Sequence, residues 1–168
     1  GPSVCSYSGD HPDHHHYSHG GLIMMGINVA TDGDLIYSDL IVTGQKTLET
    51  RDSHSLAPYV GKRVGIIETK RGRKARLVGF ADVGKPLVVG SLGFDMLSRH
   101  HLVPESSRFH IKKGQKKWLY PMMNVMKLTE SIDASETRGI VARNITGLLE
   151  ADKYRQDMLT WMEENTND

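Results

Sequence analysis

The stretch Gly44-Gln45-Lys46-Thr47-Leu48-Glu49-Thr50-Arg51 decides how the rest of this sequence is interpreted. Before it, apolar residues at positions 35, 36, 40 and 41 recur at the spacing of one helix face, which predicts a helix over residues 34–43. Gly44 is expected to end that helix, because glycine adopts the left-handed C-cap conformation without a Cβ penalty. The residues after Gly44 predict a strand near 46–52.

The predicted strand carries charged side chains on both faces. Leu48 is its only apolar residue within the motif, so Leu48 is expected to point toward a core. In a strand Lys46 shares the face of Leu48, which places the lysine at the rim of that core or inside a cleft. Glu49 and Arg51 share the opposite face, where they can form an ion pair that fixes both side chains.

A helix that ends in Gly-x-Lys-Thr-x-Glu-x-Arg resembles the signature of the ASCH domain, a branch of the PUA-like superfamily. Looser similarities follow at residues 60–67, 78–84 and 118–120, so that the resemblance spans roughly residues 27–128. It implies an α+β fold, in which a small PUA-like β-barrel of about five or six strands carries flanking helices. The signature residues are Gly44, Lys46, Thr47, Glu49 and Arg51.

The ASCH resemblance implies a cleft that binds nucleic acid, RNA above all, or a nucleotide through Lys46, Thr47, Glu49 and Arg51. The alternative it implies is a hydrolase that acts on RNA, or on a modified nucleoside such as N4-acetylcytidine. In the family's small amidohydrolases a threonine follows the lysine by three residues, and Glu49 stands at that place here.

The residue types themselves allow catalysis as well as a purely structural role. A lysine and a glutamate in a cleft of low dielectric shift each other's pKa, which would make Lys46 an activator and Glu49 an acid/base. His54 follows the motif directly and is the best-placed histidine for a general base. The alternative is a structural role, in which the Glu49–Arg51 ion pair stabilises the strand and Lys46 faces solvent.

Basic residues are unevenly distributed along the chain. Lys plus Arg (21) and Asp plus Glu (20) nearly cancel, so the net charge of +1 does not by itself indicate nucleic acid. Two basic runs fall in predicted turns, the first at the tip of a hairpin, and each is a candidate for phosphate contacts or a solvated loop. Two aromatic residues beside the second run offer stacking faces for an unpaired base. The candidates are Lys70, Arg71, Arg73 and Lys74, then Lys112, Lys113, Lys116 and Lys117, with Trp118 and Tyr120.

Three regions are predicted from composition. Residues 1–24 form a flexible, histidine-rich leader that resembles a remnant of a purification tag, although its imidazoles are also able to bind a metal ion. Residues 25–130 form the barrel domain, for which we expect no metal and no cofactor. Residues 131–168 form an extension with an amphipathic helix near 149–164, which either covers the barrel or binds a protein partner. Its apolar face carries Tyr154, Met158, Trp161 and Met162.

The sequence also indicates the cellular compartment of the protein. A single cysteine, Cys5, excludes an internal disulfide. No apolar run approaches the roughly 18 residues that span a bilayer, and no signal peptide is recognisable. We therefore expect a cytoplasmic protein that does not associate with membranes.

Overall fold

The computed structural model describes residues 22–166, in which seven strands form one sheet. Most of the predicted leader, residues 1–21, lies outside the described residues. The strands are β1 (Met25–Ala30), β2 (Leu48–Arg51), β3 (Arg63–Thr69), β4 (Arg76–Val83), β5 (Leu87–Val89), β6 (Lys117–Asp133) and β7 (Ala142–Asn144). The α-helices are α1 (Tyr37–Val42), α2 (Ser91–Met96), α3 (Ser98–His101) and α4 (Thr146–Asn165), and a short 3-10 helix spans Ala57–Tyr59.

The sheet is mixed and curls into a half-barrel. Its strand order is β2-β6-β4-β3-β1-β7, and β5 pairs with the start of β6 on the edge opposite β2. Strands β1 and β3 run parallel, whereas every other pair is antiparallel. The long strand β6 changes partners along its length, and two register shifts against β4 bend it so that it can do so. These observations confirm the α+β class and the small curled β-sheet with flanking helices, with seven strands in place of about five or six.

The predicted helix end at Gly44 is confirmed. Gly44 has φ +84°, the left-handed conformation that follows a helix C-terminus. Helix α1 is shorter than the predicted range because Asp32 and Leu35 exchange two backbone hydrogen bonds, which hold the preceding residues in a turn. After Gly44, the Lys46 amide donates to the Leu40 carbonyl at 2.8 Å, which directs the chain into β2.

The hydrophobic core forms where α1 packs on the concave sheet. Ile41 from α1 is fully buried with Ile66 of β3 and Leu119 of β6. Leu48 joins this cluster with 7% of its surface exposed, which confirms that it points into a core. A second cluster lies toward the other end of the sheet, where Phe80 packs with residues from the C-terminal part of the chain.

The basic hairpin is also confirmed. Strands β3 and β4 pair antiparallel, and Gly72 in the turn between them has φ +79°. Between β5 and β6 the chain forms two short helices, α2 and α3.

The sheet continues past residue 130, where the sequence placed a boundary. Strand β6 ends only at Asp133, and β7 pairs with β1. Helix α4 covers the barrel through its first turns alone, since Leu149 is buried in the second core cluster while Tyr154 and Trp161 are 69% and 58% exposed. The expectation that this helix covers the barrel is therefore correct for its start only. None of the helices in the described part of the chain combines the length and apolar character needed to cross a membrane.

Candidate functional site

Three of the five signature residues, Lys46, Glu49 and Arg51, line a cavity of about 390 Å³. Strand β1 forms its floor, β2 and the start of β6 form one wall, and α1 contributes Tyr37. The charged side chains that line it are Lys46, Glu49, Arg51, Asp52, Lys117 and Arg143.

Lys46 is buried inside this cavity rather than facing solvent. Its side chain is 1% exposed, and its Nζ lies 3.8 Å from Glu49 Oε1. The same Nζ donates a hydrogen bond of 2.5 Å to the carbonyl of His101, at the end of α3. The predicted alternation had placed Lys46 and Glu49 on opposite faces. They meet because the strand begins only at Leu48, so the backbone before it does not follow strand geometry.

Helix α3 is itself held in a fixed position. The amide of Val103 donates to Nδ1 of His101 at 2.9 Å, so that Nε2 carries the proton and donates to the Phe94 carbonyl at 2.8 Å. The imidazole stacks on the Phe94 ring with centroids 3.9 Å apart. Burial lowers the pKa of His101, which keeps the ring neutral. The carbonyl that receives the Lys46 ammonium is therefore rigid.

Burial lowers the pKa of Lys46 to about 8. Loss of hydration is the largest cause, because a buried ammonium has no water to solvate it. The Glu49 carboxylate acts in the opposite direction and raises the pKa, whereas the Arg51 guanidinium lowers it further. Near neutral pH Lys46 is mainly a cation that loses its proton readily.

Glu49 and Arg51 form the predicted ion pair. Arg51 Nη2 lies 2.9 Å from Glu49 Oε2, and Arg51 Nε donates to the same oxygen at 3.1 Å. Arg51 also donates to the backbone carbonyl of Asn28 in β1. The Asn28 side chain in turn accepts a hydrogen bond from Arg143 Nε at 2.8 Å. This chain of contacts ties β2, β1 and β7 together around the cavity.

Tyr37 completes the inner end of the cavity. Its ring lies 4.9 Å from Lys46 Nζ, within range of a cation–π contact. Its hydroxyl bonds to Ser107 Oγ at 3.1 Å, and burial raises its pKa. The cavity thus presents a cation, a carboxylate, a guanidinium and an aromatic ring to one small volume.

Two predicted residues of the motif region lie outside this cavity. Thr47 is exposed, and its hydroxyl contacts the His100 imidazole at 3.2 Å. His54 is exposed in the loop after β2 and does not line the cavity. Neither side chain is placed to touch a molecule bound beside Lys46.

The second basic run divides between the cavity and the surface. Lys117 lines the cavity, is 2% exposed and pairs with Asp52 at 2.5 Å. The other three lysines of the run, Lys112, Lys113 and Lys116, are exposed and do not line the cavity. Tyr120 is fully buried in the core, so its ring offers no stacking face, which corrects the expectation from sequence. Trp118 is half-buried opposite Arg51 in β2.

The first basic run lines a hollow of about 610 Å³ next to the cavity, here called the basic hollow. Ala30, Thr69 and Arg143 line both spaces, so the two are contiguous. The hairpin residues Lys70, Arg71, Arg73 and Lys74 all line the hollow, together with Arg108. Within residues 22–166, no group of three or more His, Cys, Asp or Glu side chains is placed to hold a metal ion.

Comparison with known proteins rests on solved structures. No protein-family model and no curated protein sequence matches the chain. The crystal structure of ASCH from Zymomonas mobilis matches with a TM-score of 0.58 and 16% identity, over 76% of this chain and 94% of that one. The chain has an ASCH-like fold.

Two mutant forms of the Zymomonas mobilis protein match the same ASCH-like fold. One has a TM-score of 0.57 at 16% identity, over 82% of this chain and 95% of that chain. The other has a TM-score of 0.53 at 19% identity, over 66% and 77%. At this level of identity the likeness establishes the fold alone.

Several residues of the site were missed from sequence. Tyr37, Arg143 and Asn28 line the cavity but come from segments that carry no part of the motif. Lys117 was predicted as part of the second basic run, but its burial was not; Lys117 lies two residues before Leu119 and therefore shares the buried face of β6. Arg143 has no comparable signal, since β7 is three residues long and its partner β1 lies more than a hundred residues earlier.

Proposed function

We propose that this chain binds single-stranded RNA and takes one base into the cavity around Lys46. The carrying observation is the convergence of Lys46, Glu49 and Arg51 in a cavity of about 390 Å³, adjacent to the basic hollow. A nucleobase presents hydrogen-bond donors and acceptors around a flat apolar ring. The Glu49 carboxylate matches the donors, the two cations match the acceptors, and Val29 and Phe109 supply apolar walls.

The size and enclosure of the cavity support the same ligand. Sites for small ligands occupy about 300–1,000 Å³ and combine apolar walls with a few convergent polar groups. Single-stranded RNA can place an unpaired base in such a site, whereas a base inside a duplex must first leave its stack. The ASCH-like fold is consistent with this role.

Fluorescence anisotropy with a labelled, mixed-sequence single-stranded RNA tests the proposal. Lys46→Met and Glu49→Gln each remove one polar group from the cavity and are expected to weaken binding by about tenfold or more. Lys85→Gln is the matched control, because Lys85 is exposed at the end of β4 opposite the hairpin. Circular dichroism confirms that each variant is folded. Unchanged affinity in both folded cavity variants would refute the proposal.

A second candidate is hydrolysis of RNA or of a modified nucleoside. The observation that favours it is the lowered pKa of Lys46, about 8, since an amine that loses its proton easily can act as a base or nucleophile. The Glu49 carboxylate at 3.8 Å is placed to exchange that proton. The absence of a threonine three residues after Lys46 distinguishes this site from that of the amidohydrolases it resembles.

Product analysis separates binding from hydrolysis. RNA and N4-acetylcytidine are incubated with the protein and analysed by chromatography. An enzyme releases product, and Lys46→Arg, which keeps the charge but does not deprotonate near pH 8, abolishes it. Intact RNA and intact nucleoside, together with measurable RNA binding, leave binding as the function.

A further inference from the structure

The basic hollow contains a buried hydroxyl without a partner. Thr31 lies directly after β1 and is 6% exposed. Its Oγ1 makes no hydrogen bond within the part of the chain that the structure describes. An unsatisfied buried polar group destabilises a protein by about 1–3 kcal/mol, so such groups point to a ligand or a bound water. Thr31 lines the hollow, so its buried hydroxyl lies just beneath the surface that a ligand in the hollow would contact.

The hollow is also strongly cationic. Six cations line it, and no acidic residue is among its lining residues. Lys74 pairs with the exposed Asp133 at 3.6 Å, and Arg108 pairs with the half-buried Asp32 at 3.8 Å. Arg71 and Arg73 form no ion pair with any residue in the range 22–166. The concave shape keeps these cations around one volume, which favours an anionic ligand over a merely solvated loop.

Arg143 stands between the hollow and the cavity. Its Nε donates to Asn28 Oδ1 at 2.8 Å, and its Nη1 donates to the Thr137 carbonyl at 3.1 Å. These contacts fix the guanidinium, while Nη2 has no partner among the residues described. Because Arg143 lines both spaces, one fixed guanidinium nitrogen remains for a group bound where they join.

We infer that the junction of cavity and hollow is a phosphodiester subsite, formed by Thr31 Oγ1 and Arg143 and continued by Arg108 and the hairpin cations. The inference rests on the proposed binding of an RNA base beside Lys46. The phosphate next to that nucleotide accepts from Thr31 and Arg143. Following phosphates of the same strand lie along Arg108, Arg71 and Arg73. A free mononucleotide would fill the junction and leave the hairpin cations without a partner, so the ligand is a strand.

The salt dependence of RNA affinity tests this subsite. For single strands, the slope of log K against log salt decreases by about 0.7 for each phosphate contact that is lost. We expect that decrease in Arg108→Gln, and about twice as much in the double variant Arg71→Gln/Arg73→Gln. Lys85→Gln, at the far end of β4, is expected to keep the wild-type slope.

Thr31→Val separates a ligand contact from a structural role. Valine is nearly isosteric and removes only the unpartnered hydroxyl, so the melting temperature is expected to stay the same or rise. RNA affinity is expected to fall about tenfold, as for a lost hydrogen bond to a charged group, with no change in the salt slope. Unchanged affinity in Thr31→Val would overturn the junction site.

The outcomes distinguish this inference from the proposed function. If Lys46→Met weakens binding while all hollow variants behave like Lys85→Gln, the base site stands and the phosphate subsite is overturned. If the hollow variants lower the slope while Lys46→Met binds normally, the proposed function fails and the junction fails with it. Inorganic phosphate and a nucleoside monophosphate serve as competitors. Because each fills only part of the site, each is expected to displace the RNA only at concentrations about a hundredfold above those needed with unlabelled RNA. Displacement by either at the concentration of unlabelled RNA would overturn the assignment to a strand.

Discussion

Lys46 Nζ lies 3.8 Å from Glu49 Oε1, and the two side chains are only 1% and 8% exposed. The pair is therefore held in a medium where charge is costly to bury, and the Glu49 carboxylate raises the pKa of Lys46. Arg51 shares the carboxylate, so two cations depend on one anion. The effects predicted below for pH and for loss of Glu49 follow from this excess of positive over negative charge.

Folding stability should depend on pH through Lys46. The pKa of Lys46 is about 8 in the folded chain, against an ordinary value of 10.5. Between these values the unfolded chain binds more protons, so the free energy of unfolding rises as the pH rises from 8 to 10.5. The rise attributable to Lys46 is at most about 3 kcal/mol.

Lys46→Met isolates this contribution because methionine does not titrate. Urea denaturation of both proteins at several pH values gives the difference in free energy of unfolding. We expect the difference to shift in favour of the wild type as the pH rises above 8. Parallel profiles for the two proteins would show that the pKa of Lys46 is not lowered.

Glu49→Gln should destabilise the fold strongly. Within residues 22–166, Glu49 is the one carboxylate that pairs with Lys46 and Arg51, so its loss leaves the buried Lys46 and the half-buried Arg51 with no counter-charge in contact. A loss of about 3 kcal/mol is expected in urea denaturation. Asp39→Asn is the matched control, because Asp39 pairs with Lys127 at the surface and its loss should change stability by less than about 1 kcal/mol. Equal effects of the two substitutions would contradict the buried pair.

The sequence predicted those parts of the site that are local. Gly44 ends α1, and Glu49 pairs with Arg51 two residues away, because both features depend on backbone periodicity and cap geometry. The position of Lys46 depends on where β2 begins. A side chain alternates between the two faces only if its residue belongs to the strand. The sequence pattern does not define the first residue of β2 to within one or two positions.

The parts that sequence did not predict are non-local. Tyr120 and Lys117 belong to one strand, yet both were assigned to an exposed basic and aromatic surface. Strand β6 pairs with β2 on one side there, and with β5 near its start, so its faces are covered by segments distant in sequence. Composition alone does not report such pairing. The contiguity of the basic hollow and the cavity depends in the same way on β7 pairing with β1.

Gly139 should be irreplaceable at the cavity rim. Its φ is +149°, and a Cβ on Gly139 would lie 1.7 Å from the Ala142 carbonyl oxygen. Asn28 Nδ2 donates to the carbonyls of Gly139 and Ile140, so displacement of this loop also disturbs the cavity floor. Gly139→Ala is expected to lower the free energy of unfolding by about 3 kcal/mol.

Gly72→Ala serves as the control for Gly139→Ala. Gly72 also has a positive φ, of +79°, but nothing lies within 4 Å of the position of its missing Cβ. Its substitution should destabilise by about 1 kcal/mol through backbone strain alone. If both variants have the same melting temperature, the contact with Ala142 is not the reason that position 139 requires glycine.

Helix α4 should be dispensable beyond its first two turns. Leu149 is buried, so Leu149→Ala is expected to destabilise by about 3 kcal/mol. A chain that ends at residue 153 loses the exposed face and should change stability by less than about 1 kcal/mol, with RNA affinity unchanged. In a pull-down experiment, a protein that binds the full chain but not the shortened chain would instead support a partner of the apolar face. That face is formed by Tyr154, Met158, Trp161 and Met162.

RNA affinity should decrease as the pH passes the pKa of Lys46. Below about pH 8 the buried ammonium is charged and attracts the acceptor groups of a base and the nearby phosphate, whereas above it that attraction is lost. Anisotropy titrations from pH 6.5 to 9.5 should therefore show affinity falling around pH 8 in the wild type, by about tenfold. Lys46→Arg keeps its charge over this range, so its affinity should not change around pH 8. A wild-type profile as flat as that of Lys46→Arg would show that the charge of Lys46 makes no contribution to binding, even if the RNA is bound in the cavity.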